Sequence, residues 1–311
     1  MQTHIHQDLP VPNQRPALRL VSTKGLSREE WLQYRRQGIG SSEAAAAIGL
    51  NPYQSPLELW MIKTGRDDGL PKIDPNDDSS PMFWGSALEP FVAEHYARHT
   101  GHRVRRKNAV LQHPDPDKPW MLANIDREIV GAPDVQILEC KTAGEFGARL
   151  WREGVPDYVQ CQVQHQLAVT GKQAADVCVL VCGQEIRIHR IERDEELIAN
   201  LINLERRFWD YVVTDTPPPA DGSDSAGLAL RALYPHDRGE TLDLSNDLQM
   251  SQTFSSLVSV RTAIDAHQAT EAQLKQQIQE RMGDASRAVF AAGSVSWKRS
   301  KSGSRRFLIN P

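Results

Sequence analysis

The spacing of apolar residues changes twice along the chain, and each change marks a different kind of structure. Residues 29–36 repeat at helical period behind Ser27-Arg28-Glu29-Glu30, a capping-box spacing. Gly38-Ile39-Gly40-Ser41-Ser42-Glu43 predicts a tight turn feeding a second helix through the alanines to Ile48, with Ser41 or Ser42 as N-cap. A short helix is predicted over 57–63, and a polar loop over 65–81. Residues 83–99 read as an amphipathic helix, with Leu88, Phe91, Val92, His95 and Tyr96 at helical spacing. Beyond Gly101 the period drops to two, predicting strands over 103–111, 120–130 and 135–141. A helix over 155–170 stops at Gly171. Strands over 175–181 and 185–191 form a hairpin around Cys182-Gly183-Gln184, and a strong amphipathic helix covers 195–213.

This order implies an α/β fold with a largely antiparallel or mixed central sheet flanked by helices. Residues 1–22 are expected to be a flexible arm and 23–215 the main domain. The stretch 216–226 (TPPPADGSDSA) reads as a linker, and 227–311 as a C-terminal extension. Within the extension, 242–282 is predicted helical. Leu257, Val260, Ile264, Leu274 and Ile278 form an a/d-like seam broken by His267 and Glu271. The expected outcome is a helical hairpin packed on the main domain rather than a coiled coil. Residues 293–309 suggest a basic β-hairpin around Ser302-Gly303.

Composition narrows the classes. With 311 residues, 40% hydrophobic and 24% charged, the chain reads as a soluble globular protein. It has no apolar run of about 18 residues and no apolar stretch near its start, so a membrane protein or secreted protein is not expected and a cytoplasmic one is. Cys140, Cys161, Cys178 and Cys182 form no CxxC pair, which points to reduced thiols rather than zinc or iron–sulfur ligands. The net charge of −4 counts mildly against a nucleic-acid binder. Basic clusters do exist locally, at 103–107 (RVRRK) and 297–306 (WKRSKSGSRR).

The chemistry is concentrated in 120–142, WMLANIDREIVGAPDVQILECKT. If the turn at Gly131-Ala132-Pro133-Asp134 closes a hairpin, Val130 faces Val135 and Asp126 faces Glu139. Cross-strand Cβ atoms lie about 4.5–5.5 Å apart, close enough for two carboxylates to share a divalent cation. Alternation places Lys141 on the same face as Glu139. Two acids and an ammonium suit phosphodiester hydrolysis: hard oxygen ligands hold Mg²⁺, and the lysine orients water and stabilises developing charge. Asp134, which spells the literal Pro-Asp before Glu139, falls in the turn and away from that face.

Several blocks in order also resemble the lambda-exonuclease/YqaJ-like viral recombinase family of PD-(D/E)xK nucleases over roughly residues 27–215. They are Arg36-Gln37-Gly38-Ile39-Gly40-Ser41-Ser42-Glu43, Asn51-Pro52-Tyr53, Pro56-Leu57-Glu58-Leu59-Trp60, Trp84-Gly85 with Leu88-Glu89-Pro90, Asn124-Ile125-Asp126, Leu138-Glu139-Cys140-Lys141-Thr142, and Gln162-Val163-Gln164-His165-Gln166-Leu167. The resemblance implies a restriction-endonuclease-like core. It implies Glu89, Asp126 and Glu139 as metal ligands, Lys141 as the catalytic lysine and Gln162 beside it. Arg36 and Ser42 are implied to hold a terminal 5′-phosphate, with Ser42 at a helix N-terminus. The implied activity is a Mg²⁺-dependent (Mn²⁺ substituting) 5′→3′ exonuclease on double-stranded DNA ends. It releases mononucleotides, works as a homotrimer and passes a 3′ single strand to an annealing protein. The alternatives are an endonuclease or nicking repair nuclease on the same core, and a non-catalytic recombination scaffold. The sequence departs from the family at Arg127, where a small residue commonly follows the aspartate.

Overall fold

The computed structural model describes residues 16–72, 74, 76–300 and 303–310. These fall into two compact units, Met1–His236 and Asp237–Pro311.

The first unit opens with β1 (Leu18–Ser22), α1 (Arg28–Arg36) and β2 (Ile39–Gly40). Next come α2 (Ala44–Ala47), α3 (Pro56–Lys63) and α4 (Pro81–Thr100). Then follow β3 (Arg103–Arg106), β4 (Ala109–Gln112), β5 (Met121–Ala123), β6 (Arg127–Val130) and β7 (Ile137–Ala143). A short α5 (Glu145–Ala148) precedes α6 (Asp157–Thr170), β8 (Ala174–Val181), β9 (Glu185–Glu192), α7 (Glu195–Val213) and α8 (Asp224–Leu233). The second unit holds α9 (Leu248–Met282), β10 (Arg287–Phe290), β11 (Gly293–Arg299) and β12 (Arg305–Asn310).

Local chemistry explains several boundaries. Ser27 and Glu30 form the predicted capping box of α1. Gly101 and Gly171 end α4 and α6 in the left-handed conformation. The central sheet runs β3-β6-β7-β8-β9 and is antiparallel except for the β7/β8 pair, which α6 connects. Every residue of β8 is buried, as a central strand covered on both faces requires. On one face Val92, Ala93 and Tyr96 of α4 join the core of Leu138, Ala174 and Cys178. On the other, Val163 and Leu167 of α6 join Ile137, Val177 and Val179. This is the mixed α/β core, a central sheet flanked by helices, that the sequence predicts.

Five expectations change. The predicted strand over 120–130 is two strands in two sheets: β5 pairs with β4 and β2, and β6 with β3 and β7. The strand over 103–111 divides in the same way into β3 and β4. Alternation continues through both breaks, so period alone does not reveal that the chain changes sheet. The expected flexible arm contains β1, which pairs with β4; residues 1–15 lie outside the described residues. The expected linker is part of the first unit. Ser225 donates to Glu58 Oε2 (2.6 Å) and accepts from the Ser55 amide (2.8 Å). Ala226 and Ala229 of α8 are buried, so the unit continues to His236. In the second unit α9 is one 35-residue helix rather than a helical hairpin, and Leu257, Val260, Ile264 and Leu274 are exposed.

The cysteines are free, with Cys182 exposed. No helix among the described residues is long and apolar enough to cross a membrane.

Candidate active site

The break between β5 and β6 puts Asp126 at the mouth of the central sheet. The ladder pairs Arg127 with Leu138 and Glu128 with Ile137, the register read from the sequence, so Asp126 stands one position further, opposite Glu139. The Cys140 amide donates to Asp126 Oδ2 (2.8 Å) and fixes its carboxylate against β7. Gly131, at φ 80°, closes the turn in a conformation glycine adopts without penalty. Asp134 lies in that turn and pairs with Arg190 (3.1 Å).

Helix α6 supplies the opposite wall. Gln162 and Gln166 are one helical turn apart and share a face. Gln162 Nε2 donates to Glu139 Oε1 (2.6 Å), and Gln166 Nε2 to Glu139 Oε2 (2.8 Å). Lys141 Nζ donates to Gln162 Oε1 (2.9 Å) and lies 2.7 Å from Glu139 Oε1. Glu139 is thus almost fully buried with both oxygens oriented. Burial and the facing Glu139 carboxylate raise the Asp126 pKa. Burial disfavours the Lys141 ammonium, but Glu139 and Asp126 outweigh it and raise its pKa, so this lysine stays charged.

Asp126, Glu139, Lys141 and Gln162 line a cleft of about 390 Å³ with Glu89, Asn124, Ser42, Arg35 and Trp31. Among the described residues no three carboxylate, imidazole or thiolate groups converge as a ready ligand set. The donor chemistry still fits a hard divalent cation. Two facing carboxylates repel each other in a half-buried cleft, and Mg²⁺ commonly takes one or two carboxylates and completes its shell with water and substrate phosphate. Glu89 reaches the cleft from α4, but its Oε1 accepts hydrogen bonds from Arg127 and Arg106. Arg127, the departure from the family pattern, is therefore bound up with the third expected acid.

Of the two residues expected to hold a terminal phosphate, Ser42 lines the cleft and Arg36 does not. Arg36 points to Asp67 (2.9 and 3.1 Å) and does not line the cleft. Arg35 does: it donates to Ser42 Oγ (3.0 Å), pairs with Glu43 (2.6 Å) and stacks over Trp31 at 4.8 Å. Buried Lys63 holds the group by donating to Glu43 Oε2 (2.6 Å) and to the Arg35 carbonyl (2.7 Å). The Gly38–Glu43 turn serves this network. A Cβ at Gly38 would stand 2.3 Å from the Trp120 carbonyl oxygen, so only glycine lets the two backbones approach. Ser42 is not the N-cap of a regular helix. It lies in a 3₁₀ turn before the four-residue α2, and Glu43 accepts the Gly40 amide (2.8 Å).

Sequence reasoning missed Arg35, Gln166 and Asn124. The i, i+4 spacing of Gln162 and Gln166 was the available signal for the second glutamine. His165, between them on α6, is fully buried between Glu205 Oε1 (2.7 Å) and the Leu122 carbonyl (3.0 Å).

Comparison with known proteins places this geometry in context. The YqaJ-like viral recombinase domain matches residues 30–173. YqaJ of Bacillus subtilis (strain 168), described as uncharacterized, is 35% identical over 284 residues, covering 90% of this chain and 86% of that protein. An alkaline exonuclease from Laribacter hongkongensis is 23% identical with a TM-score of 0.49, covering 60% of this chain and 93% of that one. A phage-related exonuclease from Haemophilus somnus is 12% identical with a TM-score of 0.41, covering 57% of this chain and 96% of that one. The identity with YqaJ, spread over nearly the whole of both chains, is decisive: this chain belongs to the YqaJ-like viral recombinase family.

Proposed function

We propose that the chain is a divalent-metal-dependent deoxyribonuclease that degrades duplex DNA from its 5′ ends and leaves a 3′ single strand. The observation that carries this reading is the convergence of Asp126, Glu139, Lys141 and Gln162 in one cleft that Arg35 and Ser42 also line. Asp126 and Glu139 would hold Mg²⁺, or Mn²⁺ in its place. The bound ion would polarise the scissile phosphate and acidify a water. Lys141 keeps its proton and presents an ammonium to the phosphate oxygens as charge develops. Gln162 holds that ammonium in place through Oε1, and Gln166 pins the other Glu139 oxygen. Glu89 is reserved as a further acid that becomes available when Arg127 and Arg106 release it. Arg35 and Ser42 meet the terminal 5′-phosphate through charge-assisted hydrogen bonds, worth roughly 1.5–3 kcal/mol each. Family membership extends the proposal to a homotrimer around the duplex, a single-strand annealing protein as partner and a cytoplasmic setting.

The test is digestion of end-labelled linear duplexes bearing 5′-phosphate or 5′-hydroxyl, beside closed circular DNA, with Mg²⁺, Mn²⁺ or chelator. We expect metal-dependent nucleotide release from linear DNA only, and a preference for phosphorylated ends of about tenfold. Arg35→Ala should erase that preference, and Arg36→Ala should keep it. Equal cutting of circles would favour the endonuclease or nicking reading, and silence with every metal would favour a scaffold.

A further inference from the structure

Residues 285–311 contain six Lys or Arg and no Asp or Glu, although the whole chain carries −4. Lys301 lies outside the described residues. The other five have two different settings. Arg305 is used within the fold: it stacks on Trp297 at 3.6 Å and donates to the carbonyls of Trp297 (3.0 Å), Gly283 (2.8 Å) and Ala285 (2.6 Å). Arg299 donates to the Gly303 carbonyl at the tip of the hairpin (3.3 Å).

The strand register places Arg287, Lys298 and Arg306 together. Arg287 pairs with Ser296, Ser296 with Leu308 and Lys298 with Arg306, so alternation sets all of them on one face with Ser294. Phe290, Val295, Trp297, Phe307 and Ile309 take the other face, where Phe290, Val295 and Ile309 line a cavity with Ile278 of α9. Val295 is buried on that face, although Phe290 and Ile309 stay partly open, whereas Arg287, Lys298 and Arg306 are all exposed on the cationic face. Lys298 and Arg306 stand directly opposite each other, an arrangement that costs stability. Among the described residues no carboxylate pairs with Arg287, Lys298 or Arg306; Arg287 reaches only the Ser294 hydroxyl (3.3 Å).

We propose that this outward face of the β10–β12 sheet is a second DNA contact, in addition to the cleft, that grips duplex backbone phosphates through Arg287, Lys298 and Arg306. The identity of the polyanion rests on the nuclease reading above. Three features favour duplex phosphate over other anions. The face has cations and serine hydroxyls, which suit phosphate oxygens. It has no aromatic side chain, so it lacks the stacking platform that single-strand binders use. Among the described residues it also offers no apolar pocket to seat a protein anchor, and Val289 and Leu308 are the exposed large apolar residues on it. The contact would hold the duplex between cleavage events without regard to sequence.

The experiment uses the full chain, chelator, and a labelled duplex with both ends closed by hairpins. Kd is measured over a series of salt concentrations. Arg287→Gln/Lys298→Gln/Arg306→Gln should weaken binding and reduce the log–log salt slope by about 2.7, at about 0.9 per phosphate contact. Arg287→Lys/Arg306→Lys keeps the charge and should keep the slope. Neutralisation removes the Lys298/Arg306 repulsion, so the thermal midpoint should hold or rise. A wild-type slope in the triple Gln variant overturns the proposal, as does an equal loss in the Lys variant. A single strand that binds more tightly than duplex, with the advantage lost in the triple variant, overturns the duplex assignment. Equal competition by polyglutamate points instead to an acidic protein partner and also overturns it. If wild type releases no nucleotide with metal but the slope change appears, the nuclease reading fails and this contact stands. Normal digestion with an unchanged slope gives the reverse.

Discussion

Two antiparallel hairpins in this protein each set like charges against one another, in opposite surroundings. Between β6 and β7, Asp126 faces Glu139 in a half-buried cleft, with Lys141 and two glutamines arranged around them. Between β11 and β12, Lys298 faces Arg306 on an open surface with no carboxylate partner among the described residues. The acidic pair is held rigidly: each oxygen of Glu139 has an assigned donor. The basic pair has no such shell. The difference matches what each would recognise. A small cation needs ligands fixed to fractions of an ångström, which demands burial and hydrogen bonds from neighbouring residues. A polyanion presents many phosphates and is held by exposed charge through counterion release, which tolerates mobile side chains.

The comparison can be broken first at the acidic hairpin. Asp126→Ala, Glu139→Ala and Lys141→Ala should each lower nucleotide release by roughly 10³-fold or more with circular dichroism unchanged. Asp134→Ala should leave it near normal. An active Asp126→Ala beside an inactive Asp134→Ala would show that the wrong aspartate was assigned.

The next largest effect concerns a buried pair of opposite charge. The two ring nitrogens of His165 face Glu205 Oε1 and the Leu122 carbonyl oxygen, an arrangement that favours the doubly protonated ring. Burial opposes that charge, but Glu205 outweighs it and holds the His165 pKa above the ordinary histidine value. The stabilisation is therefore complete below the unfolded value of about 6.5 and is lost as pH rises through the folded value. Wild type should show a falling thermal midpoint towards alkaline pH. His165→Phe should cost about 3–5 kcal/mol at neutral pH, because it strands Glu205, whose Oε2 already lacks a hydrogen-bond partner among the described residues. It should also flatten the alkaline decline. An unchanged decline in the variant assigns it to another group.

A smaller effect tests whether the ordered shell matters. Gln162→Ala and Gln166→Ala should each cost about 10–100-fold in metal affinity or rate, as loss of groups that orient ligands commonly does. Titrating metal separates the two: Gln166→Ala should be partly rescued by high metal, and Gln162→Ala, which also frees Lys141, should not. Full activity in either variant would mean that the acidic hairpin needs no more support than the basic one.

What could be read from sequence was local. The register of the β6/β7 hairpin followed from alternation and one turn glycine, and it placed Asp126 opposite Glu139 with Lys141 on the same face. The Ser27/Glu30 cap and the glycine stops of α4 and α6 followed from residue types within a few positions. Contacts between distant segments decided the rest. Arg35 and Arg36 are adjacent, equally basic, and about 100° apart on one helical turn. Which one enters the cleft depends on Glu43 and on Lys63, buried 28 residues further along the chain from Arg35. The step from β5 to β6 between sheets, and the inclusion of α8 in the first unit, depend on partners equally remote in sequence. A hydrophobic period reports that a residue is covered, but not by what; only the tertiary structure chose among partners that local pattern leaves equivalent.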